Sequence, residues 1–537
     1  MPTEQIQTRD SATDEPRPVT RYLGDCARLW PDAVACVIDD GSSEITYREL
    51  DERSNALAHG IAALGCGPGD TVAIMLENSI EFAVAWWAAT RSGMYVTPIN
   101  WHLTSGETQY VLENSRAKVV ITSPSTSADA AAALAATNVI EIQVGAAAVG
   151  NDDLIDFATF LGEHPVHPIE RELAGGPMFY SSGTTGRPKG VKPKLSGQHP
   201  SEFTSVSNLI MATFGIGPGD RYLSPAPLYH SAPSSWSFGA HTVGATSVIM
   251  TKFDAATALG LLDSQGITVS QWVPTMFQRM LRLPDDVRSA YRGVTHQKAF
   301  HAAAPCPASV KRAMIEWWGP IICEFYAATE GGATFIDSAS WLEHPGSVGR
   351  HWSGGTIHIL DLIDRSPVPP GGEGLIYFEA FAANRFEYHD DPQKTASVYH
   401  GDNLVTAGDI GRIDEEGYLY LTDRLSNMII SGGVNIYPAE IEQHLAGHPD
   451  VIDVAVFGVP NDEFGEEVKA VVQVAPADLD RPDLIDHLNR FCREGLAGFK
   501  CPRSFDLVAE LPRDENGKLY KRRLRDEYWR NRESKLV

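Results

Sequence analysis

The sequence predicts an α/β protein: a large N-terminal layered α/β domain with an added β-rich subdomain, then a small α+β C-terminal domain. Three observations predict it. Between residues 71 and 144, apolar runs such as TVAIML and KVVIT alternate with helical stretches such as FAVAWWAAT, the rhythm of parallel α/β layers. From Gly371 onward the chain turns to short strands, GLIYFEA and GYLYLTD. Past residues 423–427, strand and helix alternate on a smaller scale, without internal repeats or heptads.

The elements follow in order. Residues 1–18 are polar and acidic with no apolar core, and read as a flexible tail rather than a signal peptide. Leu23, Ala27 and Trp30 share a helical face. Leu50, Leu57, Ile61 and Leu64 mark an amphipathic helix, stopped at Gly65 with Gly67, Pro68 and Gly69 behind it. Strands are expected at 71–76, from 96, at 118–122 and at 139–144, and the alanine-rich stretch near 128–136 reads as a surface helix. Residues 192–200, rich in Pro, Gly and Ser, read as an exposed connection. A helix to about Gly215, the strand TSVIMT, the helix ALGLLDSQG and the strand VSQWV continue the alternation. Val310, Met314 and Trp317 line a helix closed by Gly319-Pro320, and SPVPPGGEG at 366–374 is a turn. VIDVAVFGV and VKAVVQV are later strands, and Leu484, Leu488 and Phe491 form one face of a late helix.

At 537 residues and 43% hydrophobic content, the chain can bury more than one core. A formal charge of −25 favours solubility and gives no general attraction for nucleic acid or anionic membrane. The same charge repels ATP and carboxylates, so a site for either must build its own positive field. Seven cysteines at wide spacings, with no C-x-x-C, point to reduced thiols, a cytoplasmic setting and no structural zinc. None of the 17 histidines falls in H-E-x-x-H, and no apolar run reaches the length of about eighteen residues that would suggest a membrane span.

Residues 180–190 read YSSGTTGRPKG. The hydroxyls of Ser181, Ser182, Thr184 and Thr185 lie among Gly183, Gly186 and Gly190, and Lys189 follows a proline. Glycine lets backbone N–H groups turn toward an anion, hydroxyls donate to phosphate oxygens or meet a magnesium ion, and the lysine adds full charge. This is a phosphate-binding loop by composition, but not the G-x-x-x-x-G-K-S/T loop, because Pro188 stands five residues after Gly183. The segment matches in full the loop pattern of the adenylate-forming enzymes. On it, the chain resembles acyl-CoA synthetases, non-ribosomal adenylation domains and luciferases, and most of all the bacterial acyl-CoA synthetases.

The resemblance covers nearly the whole chain, and further motifs follow in the family's order. PLYHS puts His230 at the family's gate beside the carboxylate pocket. Trp236 and Phe238, with Ala327 and Ala328, are the candidate acyl pocket. HAAAPCP resembles the adenine segment, where Ala302, Ala303 and Ala304 let a flat purine lie against backbone. EFYAATE resembles Y-G-x-T-E: Tyr326 stacks on adenine beside Glu324 and Phe325, Thr329 meets the α-phosphate, and Glu330 holds magnesium with Ser181. In VTAGDIGR, Asp409 accepts from the ribose hydroxyls, and Ala407 replaces a usual threonine. In DRLSNMIISGGVNIYPAEIE, Arg424 contacts the nucleotide, and Ser431, Gly432 and Gly433 line the pantetheine tunnel. Ser426 stands there at a pivot that is usually Asp or Lys. In LPRDENGKLYKRRLR, Lys518 takes the place of the catalytic lysine. The implied organisation is a tail at 1–18, an AMP-binding domain at 19–423, a hinge near 424–426 and a small mobile domain at 427–537.

The resemblance implies an ATP-dependent carboxylic acid–CoA ligase working through an acyl-AMP, with ATP, Mg²⁺ and coenzyme A as its small molecules and a hydrophobic acid (fatty, aromatic or sterol-side-chain) as substrate. Lys518, Lys189, Glu330 and His230 carry the chemistry. The alternative is a stand-alone adenylation enzyme that loads a carrier protein. A homodimer is the family's habit.

Overall fold

The segment TVAIM forms the strand Thr71–Met75, with all five residues buried, as a strand covered on both faces requires. It sits between Tyr95–Pro98 and Ala117–Thr122 in a six-stranded sheet that continues through Ile140–Gln143 to Ile155–Asp156 on one side and Gly176–Pro177 on the other. Every pairing in it is parallel. The computed structural model describes residues 20–39, 41–145, 154–181, 188–328, 330–379, 385–513, 519 and 521–530. They fall into two compact units: Met1–Trp272 with Leu283–Ala299 and Ala382–Ala396, and Val273–Arg282 with Phe300–Phe381 and Ser397–Val537.

The first unit has a second group of strands. Val34–Ile38 pairs parallel with Thr246–Ile249, which pairs with Arg221–Ser224, which pairs with Val269–Trp272. Ser43–Thr46 closes the edge antiparallel. The helix Tyr47–Ala63 starts at a capping box, with Thr46 and Glu49 each satisfying the other's backbone N–H, and it buries Leu50, Leu57 and Ile61 as the spacing predicts. The helix Ile80–Arg91 is buried nearly all round. The alanine-rich helix Pro124–Ala136 buries Thr126, Ala130 and Ala133 and exposes its other side.

The second unit is mainly antiparallel. Ile322–Ala327, Ala333–Ile336 and Arg350–His351 pair in that order. A β-rich sheet links Tyr399–His400, Leu404–Val405, Gly374–Glu379, Asp409–Ile413 and Leu419–Arg424. The C-terminal part builds its sheet on the long hairpin Asp453–Asn461/Gly465–Gln473, with Ser504–Val508 added in parallel. The helices Pro438–Leu445 and Leu484–Gly495 cover its core of Ile441, Leu445, Val456, Val472 and Leu488.

Three expectations need correction. The connection at 192–200 begins inside a strand, Lys189–Pro193, because Val191 and Lys192 pair with Tyr388 and Glu387. The buried face of the helix Ala308–Trp318 is Lys311, Met314 and Trp318 rather than Val310, Met314 and Trp317, since a lysine with a buried carboxylate partner can occupy a core position. The helix Leu484–Gly495 buries Cys492 after Leu484 and Leu488, while Phe491 is half-buried and stacks on His444 with centroids 4.5 Å apart. Among the described residues, no helix is long and apolar enough to cross a membrane.

Candidate functional site

Lys189 opens the strand Lys189–Pro193, which folds back on Phe179–Ser181 with Lys189 opposite Ser181 and Gly190 opposite Tyr180. The phosphate segment is therefore the connection of an antiparallel pair. Ser182, Gly183, Thr184, Thr185 and Gly186 lie outside the described residues, and only the backbone of Ser181 is placed. A Cβ at position 190 would stand 3.0 Å from the Tyr180 ring, so a larger residue there would press the ring aside by a few tenths of an ångström. Tyr180 in turn donates its hydroxyl to Asn114 Oδ1 at 2.7 Å. The Lys189 ammonium stands 5.5 Å from the Tyr388 ring centroid, in a cavity of about 270 Å³ shared with Tyr110, Asn114, His389, Asp390 and Asp391. Burial and then Lys394 lower its pKa, and Asp391 works the other way. The stretch Tyr388–Asp391 carries no sign of this role in its own sequence. It reaches Lys189 only because Phe386–Tyr388 pairs with Lys189–Pro193.

His230 precedes the helix Ser231–His241 and caps it by backbone geometry, without a side-chain cap. Its ring lies 4.5 Å from that of Tyr229. Trp236 and Phe238, two of the residues expected at the acyl pocket, are packed among other aromatic rings. They are 2% and 3% exposed. Trp236 stacks with Phe214 and Tyr222, both at 5.8 Å, and Phe238 stacks on Trp86 at 4.4 Å. The helix Ser231–His241 is buried on more than one side, so two aromatics two residues apart both find apolar neighbours.

In the second unit the adenine-segment residues follow His301. Ala302 is buried, Ala304 is half-buried, and Ala303 is exposed with φ +73°, a left-handed conformation that costs a non-glycine residue about 1–2 kcal/mol. The strand Ile322–Ala327 carries Glu324, Phe325 and Tyr326; Ala327 is exposed and Ala328 half-buried. Thr329 lies outside the described residues. The Glu324 carboxylate is buried on Lys311, whose Nζ is 2.6 Å from Oε2, so its side chain serves an internal ion pair. Burial pushes its pKa up, and Lys311 pulls it back. Tyr326 donates its hydroxyl to Asp409 Oδ2 at 2.5 Å, and Arg424 donates Nε–H to Oδ1 at 3.1 Å. Asp409 and Arg424 face each other in register across two strands. The Tyr326 phenol is pushed well up, by burial first and then by Asp409, with Glu330 adding to the shift.

Ser431 pairs with Val434 across Gly432 and Gly433, whose φ values are +57° and +80°. Two consecutive positive φ angles make the tight hairpin turn for which glycine is favoured. Gly432 N–H donates to the Phe464 carbonyl at 2.8 Å. Lys518 lies outside the described residues; its flanking residues Arg513 and Leu519 form an antiparallel bridge.

Known proteins resemble this chain over nearly its whole length. The AMP-binding enzyme model matches residues 24–380, and the AMP-binding enzyme C-terminal domain model matches residues 440–518. A feruloyl-CoA synthase of Amycolatopsis sp. is 32% identical, over 93% of this chain and 96% of its own length. A fatty acid–[acyl-carrier-protein] ligase of Streptomyces coeruleorubidus is 30% identical, over 90% and 92%. The solved o-succinylbenzoate CoA synthetase of Bacillus subtilis, in complex with its acyl-adenylate intermediate, superposes with a TM-score of 0.78 at 26% identity, over 94% and 98% of the two chains. With the first model spanning most of the chain and the second matching its C-terminal part, this protein belongs to the AMP-binding enzyme family.

Proposed function

We propose that this chain is an ATP-dependent carboxylic acid–CoA ligase that makes an acyl-AMP and then the acyl-CoA thioester. Membership of the AMP-binding family across both of its parts carries the reading. The Tyr326–Asp409–Arg424 group supports it, because a buried carboxylate with remaining lone pairs is a natural acceptor for ribose hydroxyls. In the first half-reaction, a carboxylate oxygen attacks the α-phosphorus of ATP, the bond from that phosphorus to the bridging oxygen breaks, and pyrophosphate leaves. Two anions must meet, so catalysis rests on fixed donors and cations. Lys189 and Lys518 supply charge, residues 181–186 supply donors, and His230 borders the incoming acid with Ala327 and Ala328. Purine lies along Ala302–Ala304 and Tyr326.

Magnesium would be held by Glu330 with Ser181 and would supply positive charge to the phosphates. Glu330 is a half-buried carboxylate, and among the described residues no group of three or more His, Cys, Asp or Glu could hold a metal. That donor set fits a hard cation bound mainly through ATP and touched by one carboxylate. In the second half-reaction, the CoA sulfur attacks the acyl carbon, AMP leaves, and the thiol proton passes to solvent. Ser431, Gly432 and Gly433 take the pantetheine arm after residues 427–537 swing about a hinge near 424–426. The acid is hydrophobic, in keeping with the feruloyl and fatty-acid relatives. All seven cysteines are free thiols, which suits a reducing compartment such as the cytoplasm.

The test separates the half-reactions. Lys518→Ala is expected to abolish adenylate formation nearly completely while sparing thioester formation from supplied acyl-AMP; equal loss in both would sink the assignment. The carrier-protein ligase among the relatives favours a second reading, transfer to a phosphopantetheine carrier. An acid panel that gives pyrophosphate exchange, no acyl-CoA, and product only with a carrier protein would select it.

A further inference from the structure

Inside the second unit, three ionisable side chains from three elements meet under the proposed adenine segment. His301 ends the strand Lys298–His301, Lys311 lies on the helix Ala308–Trp318, and Glu324 lies on the strand Ile322–Ala327. Lys311 Nζ is 2.6 Å and His301 Nε2 is 3.5 Å from Glu324 Oε2. The lysine and histidine side chains are 0% exposed and the glutamate 9%. The Lys311 ammonium also lies 4.8 Å from the Trp341 ring centroid. His301 is held well below its usual pKa, by burial and then by Lys311.

Stability alone does not explain this group. Removing two charges from water costs several kcal/mol per ion, and apolar residues of similar volume in such a place are often neutral or stabilising. An ion pair differs from apolar packing in being directional: it holds atoms at hydrogen-bond distance. What it holds here are two strand ends and the helix that joins them. One strand end leads directly into Ala303, a non-glycine residue at φ +73°. The other carries Tyr326 two residues past Glu324, on the same side of the strand, with its hydroxyl on Asp409 at 2.5 Å.

We propose that Lys311, Glu324 and His301 form a positioning cluster that fixes the adenine-contacting backbone and the Tyr326 ring, so that it sets the enzyme's affinity for ATP rather than its turnover. None of the three touches the reacting atoms; they act through Ala302–Ala304 and Tyr326. The inference rests on the nucleotide placement given above.

The experiment uses the full-length enzyme and pyrophosphate exchange, with KM for ATP, KM for the acid and kcat measured separately and thermal unfolding in parallel. Lys311→Met leaves a buried carboxylate without its cation and is expected to lower stability as well as ATP affinity. The deciding variant is Lys311→Met/Glu324→Leu, which removes both charges. Under the proposal it unfolds near the wild-type temperature, yet its KM for ATP rises about tenfold or more with kcat and the acid's KM little changed, the signature of lost uniform binding to one substrate. A double variant with wild-type KM for ATP, one that loses kcat alone, or one that fails to fold assigns the cluster to stability and overturns the proposal. Asp409→Ala serves as control. If it leaves KM for ATP unchanged, the nucleotide placement is wrong and the inference falls with it. If it raises KM while the double variant does not, the positioning role alone is wrong.

Discussion

Arg91 shows how a single buried charge is managed in this protein. Its side chain is 1% exposed, and it donates to Asp51 at 2.7 Å, Glu172 at 2.8 Å and Ser54 at 2.8 Å. Glu172 also accepts from Tyr22 at 3.1 Å. With a further bond to the Asp51 carbonyl at 3.1 Å, the guanidinium makes four hydrogen bonds among the described residues, which offset its desolvation. Arg91→Met would leave two carboxylates without their cation, and a loss of about 3–5 kcal/mol is expected, read from the urea midpoint of the first unfolding transition. A change below about 1 kcal/mol would mean that the network is replaceable packing. Asp409 follows the same logic where a ligand is concerned: among the described residues each carboxylate oxygen accepts from one side chain, Tyr326 or Arg424, and so keeps capacity for a ribose hydroxyl.

At the scale of elements, local chemistry decides where helices begin. Thr46 Oγ1 accepts from Glu49 N–H at 3.2 Å, and Glu49 Oε2 accepts from Thr46 N–H at 2.9 Å. Thr104 and Glu107 repeat the arrangement at the helix Ser105–Ser115. Thr46→Ala is expected to cost about 1 kcal/mol. Because a chain of two units need not unfold in one step, the measurement that checks it is faster amide exchange in the first turn of Tyr47–Ala63, with other helices unchanged. The helix Leu484–Gly495 was legible in the spacing of Leu484 and Leu488, because periodicity acts over a few residues, although its third buried position is Cys492 rather than Phe491.

For the molecule as a whole, buried histidines set the acid limb of stability. Burial lowers His241 to about 3 and His296 to about 4, and takes His301 well below its usual value. An unfolded chain protonates these imidazoles as pH falls through about 6.5, while the folded chain does not. Stability from them is therefore complete above that pH and is lost as pH drops toward 4, at about 1.4 kcal/mol per pH unit for each histidine. Burial pushes Glu324 and Glu442 up, so they act in the opposite sense above their usual range and offset part of the slope. Urea midpoints are expected to fall from pH 6.5 to 4.5; a flat profile would show that these histidines take up protons in the native state.

The sequence by itself determined the α/β class, the helix Tyr47–Ala63 with its buried face, the all-buried strand Thr71–Met75 and the family motifs, because each is written in residues close together along the chain. Tertiary structure alone decided which polar residues are interior. Lys311 reads as a surface lysine until Glu324 lies 2.6 Å away, and Tyr388–Asp391 read as an ordinary loop until a strand pairing sets them beside Lys189. Trp236 and Phe238 read equally as pocket or core residues in sequence, and only the fold shows the rings stacked on them. The physical reason is common to all three. Helix faces and turns follow from local sterics, whereas burying a charge or filling a gap depends on a partner that chain folding brings from far away.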